Sequence, residues 1–211
     1  MTSFRPLDDE RLAEGVRALA ARDPDVALAL TRIGMPAARV RPPGFATLLH
    51  IVTAQQVSTH AAKAIFARLE ARLGEVTAEA LLAQSEADLR ACGLSARKVD
   101  YARGLARAVA AGELDLDGLN HAPDAAVTAA ITALRGFGRW SADIYLLFAL
   151  GRADAWPMGD LAVRLGSMRL KGWRAKPDDH TMTALGETWR PYRGCGAIFL
   201  WHYYGATTLQ R

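Results

Sequence analysis

Apolar residues recur at three- and four-residue spacing along almost the whole chain. Leu12, Val16 and Leu19 give the first example, within residues 7–21. This period places apolar side chains on one face of an α-helix. Capping residues, prolines and glycines then mark further helix starts and stops. They predict longer helices at about 45–55, 58–73, 95–111, 124–134, 138–150, 160–169, 181–189 and 195–204, and further starts near Pro24, Thr77 and Ser85.

No stretch alternates apolar and polar residues cleanly over five or more positions, and no turn signal of a β-hairpin separates two β-branched runs. The pattern therefore predicts an all-α protein of around ten short helices. With 211 residues and no low-complexity linker, the chain fits one domain, residues 1–211, whose core could be split into two lobes.

The composition narrows the class of protein. Hydrophobic residues make up 51% of the chain and the formal net charge is +4. This mild basicity permits nucleic acid as a partner without requiring it. No apolar run approaches the roughly 20 residues that span a bilayer, and the N-terminus does not have the layout of a secretion signal. We expect no membrane association and a cytoplasmic, nucleoid-associated location in a bacterium.

Cysteine and histidine offer little for metal binding. The two cysteines, Cys92 and Cys195, lie far apart, which excludes a zinc ribbon or a four-cysteine iron–sulfur cluster within this sequence. Both are expected to be buried free thiols. The five histidines form no HxxxH pair, so we predict no side-chain metal site and no cofactor.

A glycine pair lies between two predicted helices. Gly136 and Gly138 flank Phe137, which can pack into the core and fix a tight hairpin, because glycine adopts positive φ without steric cost. The following helix would present its first N–H groups to a phosphate, and Ser141 could add a hydrogen bond. By itself, the pattern is more typical of a plain turn between two helices.

About twenty residues further on, the loop at 152–159 ends in an acid. Pro157 and Gly159 shape the loop, and Asp160 begins the next helix. A lone aspartate at a helix start is most often an N-cap. Long loops held by rigid elements also frequently carry function. The residues alone leave both readings of Asp160 open.

Taken together, these motifs resemble the helix–hairpin–helix DNA glycosylase superfamily and, within it, the 3-methyladenine DNA glycosylase II family. The resemblance covers roughly residues 44–205, and its specific part runs from the hairpin to the aspartate. It is carried by the segments Leu134–Ala142 (LRGFGRWSA), Trp156–Leu161 (WPMGDL), Phe45–Ser58 (ending in QQVS), Gly93–Tyr101 (GLSARKVDY) and Arg190–Tyr203.

The resemblance implies the helix–hairpin–helix glycosylase fold, with two lobes around a cleft and the hairpin unit at about 124–150. Asp160 matches the family's catalytic acid. Trp140 lies where lyase-competent relatives such as endonuclease III carry a Schiff-base lysine, and no lysine occurs between Lys98 and Lys171. The implied enzyme is therefore monofunctional and leaves an abasic site after it releases an alkylated base such as 3-methyladenine or 7-methylguanine.

Further site residues follow from the same resemblance. The base pocket would be lined by Trp140 and Trp201, with Phe45 and Tyr145 as weaker candidates, although core packing is an open alternative for all four. Gln56 would fill the gap left by the flipped base, unless it and Gln55 only satisfy loop backbone groups. The expected DNA-binding residues are Gly136, Phe137, Gly138, Arg139, Ser141, Gln55, Gln56, Ser58 and Arg164, and hairpin carbonyls are a possible site for a monovalent cation.

Other charged residues near the motifs have less specific readings. Arg139, Arg164, Arg169 and Lys171 either contact phosphates or are ordinary solvated charges. The acids Asp143 and Asp154 match no catalytic position and are interpreted as solvated surface groups.

The expected partner is double-stranded DNA with a damaged base, bound by a monomer without an obligate protein partner. Three other readings remain open at this stage. They are a helix–hairpin–helix module that binds DNA without catalysis, a glycosylase of the same fold for a neutral deaminated or mismatched base, and an all-α protein-interaction domain.

Overall fold

The computed structural model describes residues 5–208 and is entirely helical there, with no strand. The predicted all-α class is confirmed, although thirteen helices are present instead of around ten because several are very short. They are α1 (Asp9–Ala20), α2 (Pro24–Ile33), α3 (Phe45–Ala54), α4 (Thr59–Leu73), α5 (Ala78–Leu82), α6 (Glu86–Ala91), α7 (Ala96–Ala110), α8 (Leu116–Leu119), α9 (Asp124–Thr132), α10 (Arg139–Phe148), α11 (Leu161–Leu170), α12 (Asp179–Trp189) and α13 (Arg193–Thr208).

Side-chain caps account for most helix starts. Ser58, Thr77, Ser85 and Ser95 each accept a hydrogen bond from the backbone N–H three residues further on, at the starts of α4, α5, α6 and α7. These bonds satisfy donors that have no partner within the helix. The helix starts predicted at these residues are confirmed.

The sequence pattern missed one helix and misjudged the limits of several, among them α12 and α13. The single turn α8 follows the cap Asp115 and is too short to show a period. The helix expected to start at Thr181 begins two residues earlier, because Asp178 caps it and accepts from the Thr181 N–H. The last helix, α13, extends beyond both predicted limits.

The described chain divides into two compact units. The first comprises residues 41–145, and the second comprises residues 5–40 together with residues 146–208. In the first unit α3 packs against α4 and α7, while α5 and α6 also pack on α7. Its core consists mainly of leucines from these helices, including Leu48, Leu69, Leu81, Leu89 and Leu105.

In the second unit α13 packs against α1, α2, α11 and α12. Small residues allow the close approach of its helices. A Cβ atom on Gly166 of α11 would lie 2.8 Å from the Leu200 carbonyl oxygen, and one on Gly15 of α1 would lie 2.4 Å from the Cys195 Sγ atom. This packing holds α11, which begins directly after Asp160, against the long central helix.

Candidate functional site

The hairpin between α9 and α10 is built around Gly136. This residue has φ +89°, and a Cβ atom on it would lie 2.2 Å from the ring of Tyr101. Gly138 does not have a positive φ, and a Cβ atom there would meet nothing within 4 Å. The expectation that both glycines supply positive φ is therefore wrong for Gly138. Phe137 is buried, as predicted, and fixes the turn from the core side.

Gln55 and Ser141 support this hairpin from inside the first unit. The Gln55 Nε2 atom donates to the Gly136 carbonyl oxygen at 2.9 Å and to the Ser141 hydroxyl oxygen at 3.2 Å. Ser141 is buried, so it lies in the interior and not on the surface that would face a phosphate. Gln55 thus satisfies a backbone group of the hairpin, which was the alternative reading of this residue.

Gln56 has a different environment from its neighbour. It is exposed, and its φ of +56° makes it the one non-glycine residue with positive φ within residues 5–208. Such a backbone is strained for a residue with a side chain and often occurs at functional positions. The exposed Ser58, two residues later, caps α4.

Lys98 anchors the end of the helix that precedes this loop. Its Nζ atom donates a 2.7 Å hydrogen bond to the carbonyl oxygen of Thr53, in the last turn of α3. A cation is favourable there because the carbonyl ends of a helix carry partial negative charge. Lys98 is the lysine of the GLSARK motif, but it was not among the predicted site residues.

Two candidate pocket residues are core residues of the first unit. Tyr145 has no exposed surface, and its hydroxyl oxygen accepts from the Gly44 N–H at 3.0 Å. Burial raises the pKa of this phenol above its usual value. Phe45 is also buried, which favours the core-packing alternative for both residues, whereas Trp140 is only half-buried.

Arg139 and Asp143 form an ion pair on α10. The Arg139 Nε atom lies 2.8 Å from the Asp143 Oδ1 atom, and the Arg139 side chain is 71% exposed. The interpretation of Asp143 as a solvated surface acid is wrong, because only 2% of this residue is exposed. The exposed guanidinium of Arg139 lies at the start of the helix that follows the hairpin.

In the second unit, Asp160 is the N-cap of α11. Its Oδ1 atom accepts from the backbone N–H groups of Ala162 at 2.9 Å and Val163 at 3.0 Å. The same oxygen accepts from the Trp201 Nε1 atom at 2.9 Å. The capping alternative is therefore correct as local geometry. The bond from a side chain on α13 goes beyond capping and orients the carboxylate more narrowly.

The loop that leads to Asp160 is held by an arginine. The Arg164 guanidinium donates to the carbonyl oxygens of Met158 at 2.8 Å and Pro177 at 3.1 Å, and it pairs with Asp179. Its side chain is only 15% exposed. A contact between Arg164 and a phosphate would have to replace some of these bonds, and it remains a prediction.

Two further charged candidates of this unit, Arg169 and Lys171, also have internal partners. Arg169 lies 4.4 Å from the centroid of the Tyr204 ring, and Lys171 pairs with Asp23 and Asp25. The remaining acid, Asp154, binds the guanidinium groups of Arg190 and Arg193. Asp154 is thus a partly exposed acid, as predicted for a surface residue, but it is ion-paired and not freely solvated.

Two further groups contact the indole of Trp201. The Phe148 ring centroid lies 5.6 Å from it, with an interplanar angle of 34°. The guanidinium carbon of Arg39 lies 5.8 Å from the ring centroid. Sequence reasoning missed Arg39, because it lies in an irregular segment outside every motif.

Residues 5–208 contain neither a cluster of metal-binding side chains nor a membrane-spanning helix. Nowhere in that range do three or more His, Cys, Asp or Glu side chains come together as a metal site. None of the helices there is both long and apolar enough to cross a bilayer. Cys92 and Cys195 are buried free thiols, as predicted.

Comparison with known proteins identifies the fold and the family. Residues 49–191 match the family model described as HhH-GPD superfamily base excision DNA repair protein. A DNA-3-methyladenine glycosylase of Schizosaccharomyces pombe is 30% identical over 158 residues, which cover 73% of this chain and 69% of that protein. A Bacillus subtilis relative is 32% identical over 114 residues, which cover 54% of this chain but only 40% of that protein.

Solved structures give the same result. A Schizosaccharomyces pombe 3-methyladenine DNA glycosylase in complex with abasic DNA has a TM-score of 0.84 at 27% identity, covering 89% of this chain and 95% of that one. A DNA-3-methyladenine glycosidase of Bacillus halodurans has a TM-score of 0.78 at 29% identity, covering 93% and 91%. The resemblance seen in the sequence is confirmed, and the chain belongs to the HhH-GPD superfamily of base excision DNA repair proteins.

Proposed function

We propose that this protein is a monofunctional DNA glycosylase that extrudes an alkylated base from duplex DNA and hydrolyses its N-glycosidic bond with Asp160. The substrates would be bases of the 3-methyladenine and 7-methylguanine class. A Schizosaccharomyces pombe relative named as a DNA-3-methyladenine glycosylase and a Bacillus halodurans structure named as a DNA-3-methyladenine glycosidase support this substrate class.

The observation that carries the proposal is the fixed carboxylate of Asp160. Its Oδ1 atom accepts three N–H groups, two from α11 and one from Trp201. A carboxylate held in this way needs little reorganisation when positive charge develops beside it. An N-cap with a purely structural role would not need the third bond.

Glycosidic cleavage would then proceed through an oxocarbenium-like state. The bond between C1′ and the base nitrogen breaks, and the electron pair leaves with the base. The ionised Asp160 stabilises the positive sugar and takes a proton from water as the new bond between oxygen and C1′ forms. The products are the free base and an abasic site.

Aromatic faces would hold the extruded base. Bases alkylated at ring nitrogens carry positive charge in DNA, and such a ring is attracted to the face of an indole. Trp201 lies directly beside the carboxylate through its Nε1 bond. Trp140, which is half-buried on α10, is the second candidate.

The proposed lack of lyase activity follows from the missing amine. No lysine occurs between Lys98 and Lys171. Lys98 binds the Thr53 carbonyl oxygen, and Lys171 pairs with Asp23 and Asp25. A Schiff base needs a neutral, accessible amine near C1′, whereas both of these ammonium groups are held by oxygen acceptors.

The hairpin and the Gln56 loop would bind the duplex. The exposed backbone at Gly138 and Arg139, at the start of α10, can approach a phosphate. Gln56 is exposed on a strained turn and would fill the gap that the extruded nucleotide leaves.

The test is base release from methylated duplex DNA by the wild-type protein. We expect free 3-methyladenine or 7-methylguanine, strand breaks only after alkali, and no adduct trapped by borohydride. Adduct formation would contradict the monofunctional mechanism. Tight duplex binding without release of any base would favour a DNA-binding module.

A further inference from the structure

Arg39 lies in the irregular segment between α2 and α3 and is exposed. Its guanidinium carbon is 5.8 Å from the centroid of the Trp201 ring. The same indole donates its Nε1 hydrogen bond to Asp160. Desolvation lowers the pKa of Arg39, and the negative charge of Asp160 opposes that shift. A positive charge therefore lies beside both proposed active-site groups of the second unit.

The guanidinium is held there by weak interactions alone. Among residues 5–208, Arg39 has no side-chain hydrogen bond and no ion pair within 4 Å, whereas Arg164 and Arg193 of the same unit have several each. The neighbouring Ala38 is fixed, since its N–H donates to the Asp9 carboxylate at 2.7 Å. The backbone is thus anchored while the Arg39 side chain can be displaced.

The position of Arg39 affects positively charged and neutral bases differently. The indole face attracts cations, and the guanidinium already lies over it. A cationic base that stacks there must displace Arg39 or suffer repulsion from it. A neutral base that stacks on the same face must also move the guanidinium aside, but it meets no charge repulsion from it.

The same charge acts on the developing sugar cation. Part of the negative potential of Asp160 is offset by Arg39, so that the attraction of the carboxylate for a positive centre is reduced. This weaker attraction affects both the base and the sugar. It matters most for a base that carries a full positive charge before the reaction begins.

We propose that Arg39 is a specificity-determining residue that limits the preference of this site for positively charged bases, which brings neutral modified bases into its substrate range. This inference rests on the proposed glycosylase function of Asp160 and Trp201. Arg39 lies outside the family motifs. In this proposal it sets the relative activity of the site on positively charged and on neutral bases.

The direct test is a binding comparison that needs no turnover. Two duplexes would each contain one abasic-site analogue, either a cationic pyrrolidine or a neutral tetrahydrofuran. For Arg39→Met we expect the ratio of pyrrolidine to tetrahydrofuran affinity to rise about 3- to 10-fold over the wild type. Arg39→Lys retains the charge and should stay near the wild-type ratio.

Arg32→Met is the matched control, because it removes an exposed arginine from the same unit, at the end of α2. It should weaken binding of both duplexes equally and leave the ratio unchanged. An Arg39→Met variant that behaves like this control would overturn the inference and make Arg39 an ordinary phosphate contact.

Excision gives a second readout. With Arg39→Met, kcat/KM for 7-methylguanine should rise relative to kcat/KM for neutral hypoxanthine. A parallel fall for both bases would count against the inference even if Asp160 proves essential. A wild-type protein that binds neither analogue and releases neither base would instead overturn the proposed function, and this inference with it.

Discussion

The indole nitrogen of Trp201 donates a 2.9 Å hydrogen bond to the Oδ1 atom of Asp160. The bond joins the start of α11 to the middle of α13, two helices that pack along each other in the second unit. It couples an aromatic face suited to a base with a carboxylate suited to a sugar cation.

Trp201→Phe keeps an aromatic ring but removes the Nε1 donor. Because a hydrogen bond to a charged group contributes about 1.5–3 kcal/mol, we expect the single-turnover excision rate to fall roughly 10- to 100-fold. Affinity for an abasic-analogue duplex should change much less. Trp201→Leu, which also removes the ring, should be the more impaired variant. Equal rates for Trp201→Phe and the wild type would show that the bond has no catalytic role.

Gly136→Ala should damage the hairpin, whereas Gly138→Ala should not. The first substitution forces a Cβ atom into the Tyr101 ring at φ +89°, and the second adds a Cβ atom in open space. We expect Gly136→Ala to lower the free energy of unfolding by about 3 kcal/mol and to weaken duplex binding. Denaturant unfolding and binding isotherms would measure both effects. Comparable stability loss in the two variants would contradict the assignment of Gly136 as the strained position.

Lys98→Met removes the charged bond to the Thr53 carbonyl oxygen, just before the Gln55–Gln56 turn. Its expected effect is a lower Tm together with several-fold weaker binding of abasic-analogue DNA, because the turn loses its anchor. Lys63→Met, an exposed substitution on α4, is the control, and Lys98→Arg should recover part of the affinity. If Lys98→Met lowered Tm without any change in affinity, Lys98 would be structural only.

Asp23 should contribute stability that depends on pH. Burial acts to raise the pKa of this carboxyl, but hydrogen bonds from Lys171 and Trp189 outweigh it, and the net pKa lies below the usual 3.8. The unfolded chain therefore binds the proton more readily, so the contribution is present above pH 3.8 and is lost as the pH falls through the folded-state pKa.

We accordingly expect Asp23→Asn to lower the free energy of unfolding by about 3 kcal/mol at neutral pH, as for one partner of a buried pair. The difference from the wild type should shrink below pH 3.8. Asp25→Asn, whose carboxyl shares Lys171 but is 50% exposed, should cost much less. A difference for Asp23→Asn that is constant down to pH 3 would argue against this assignment.

The all-helical fold could be predicted because its signals are local. The apolar periodicity, the capping residue and the terminating glycine of a helix all lie within or next to that helix. The starts at Ser58, Thr77, Ser85 and Ser95 were therefore predicted correctly. The turn α8 was missed, since four residues are too few to show a period.

The candidate site was only partly predictable, because its contacts join residues that are far apart in the sequence. Asp160 and the hairpin are marked by motifs, but the partners that position them come from distant parts of the chain. Trp201 is 41 residues from Asp160 in sequence, and Gln55 is 81 residues from Gly136. Burial of Asp143 and the location of Arg39 beside an indole depend on tertiary packing, which leaves no local signature.

In the proposed mechanism the charge of Asp160 performs the chemistry, and Asp160→Asn removes this charge. Asparagine caps a helix as well as aspartate does, so the fold should be retained while the charge is lost. Asp178→Asn, at the N-cap of α12, is the matched control.

The measurement is the single-turnover rate of base release from methylated duplex DNA. We predict a loss of roughly 100- to 1,000-fold or more for Asp160→Asn, retained binding of an abasic-analogue duplex, and a normal rate for Asp178→Asn. Base release by Asp160→Asn at the wild-type rate would contradict the account.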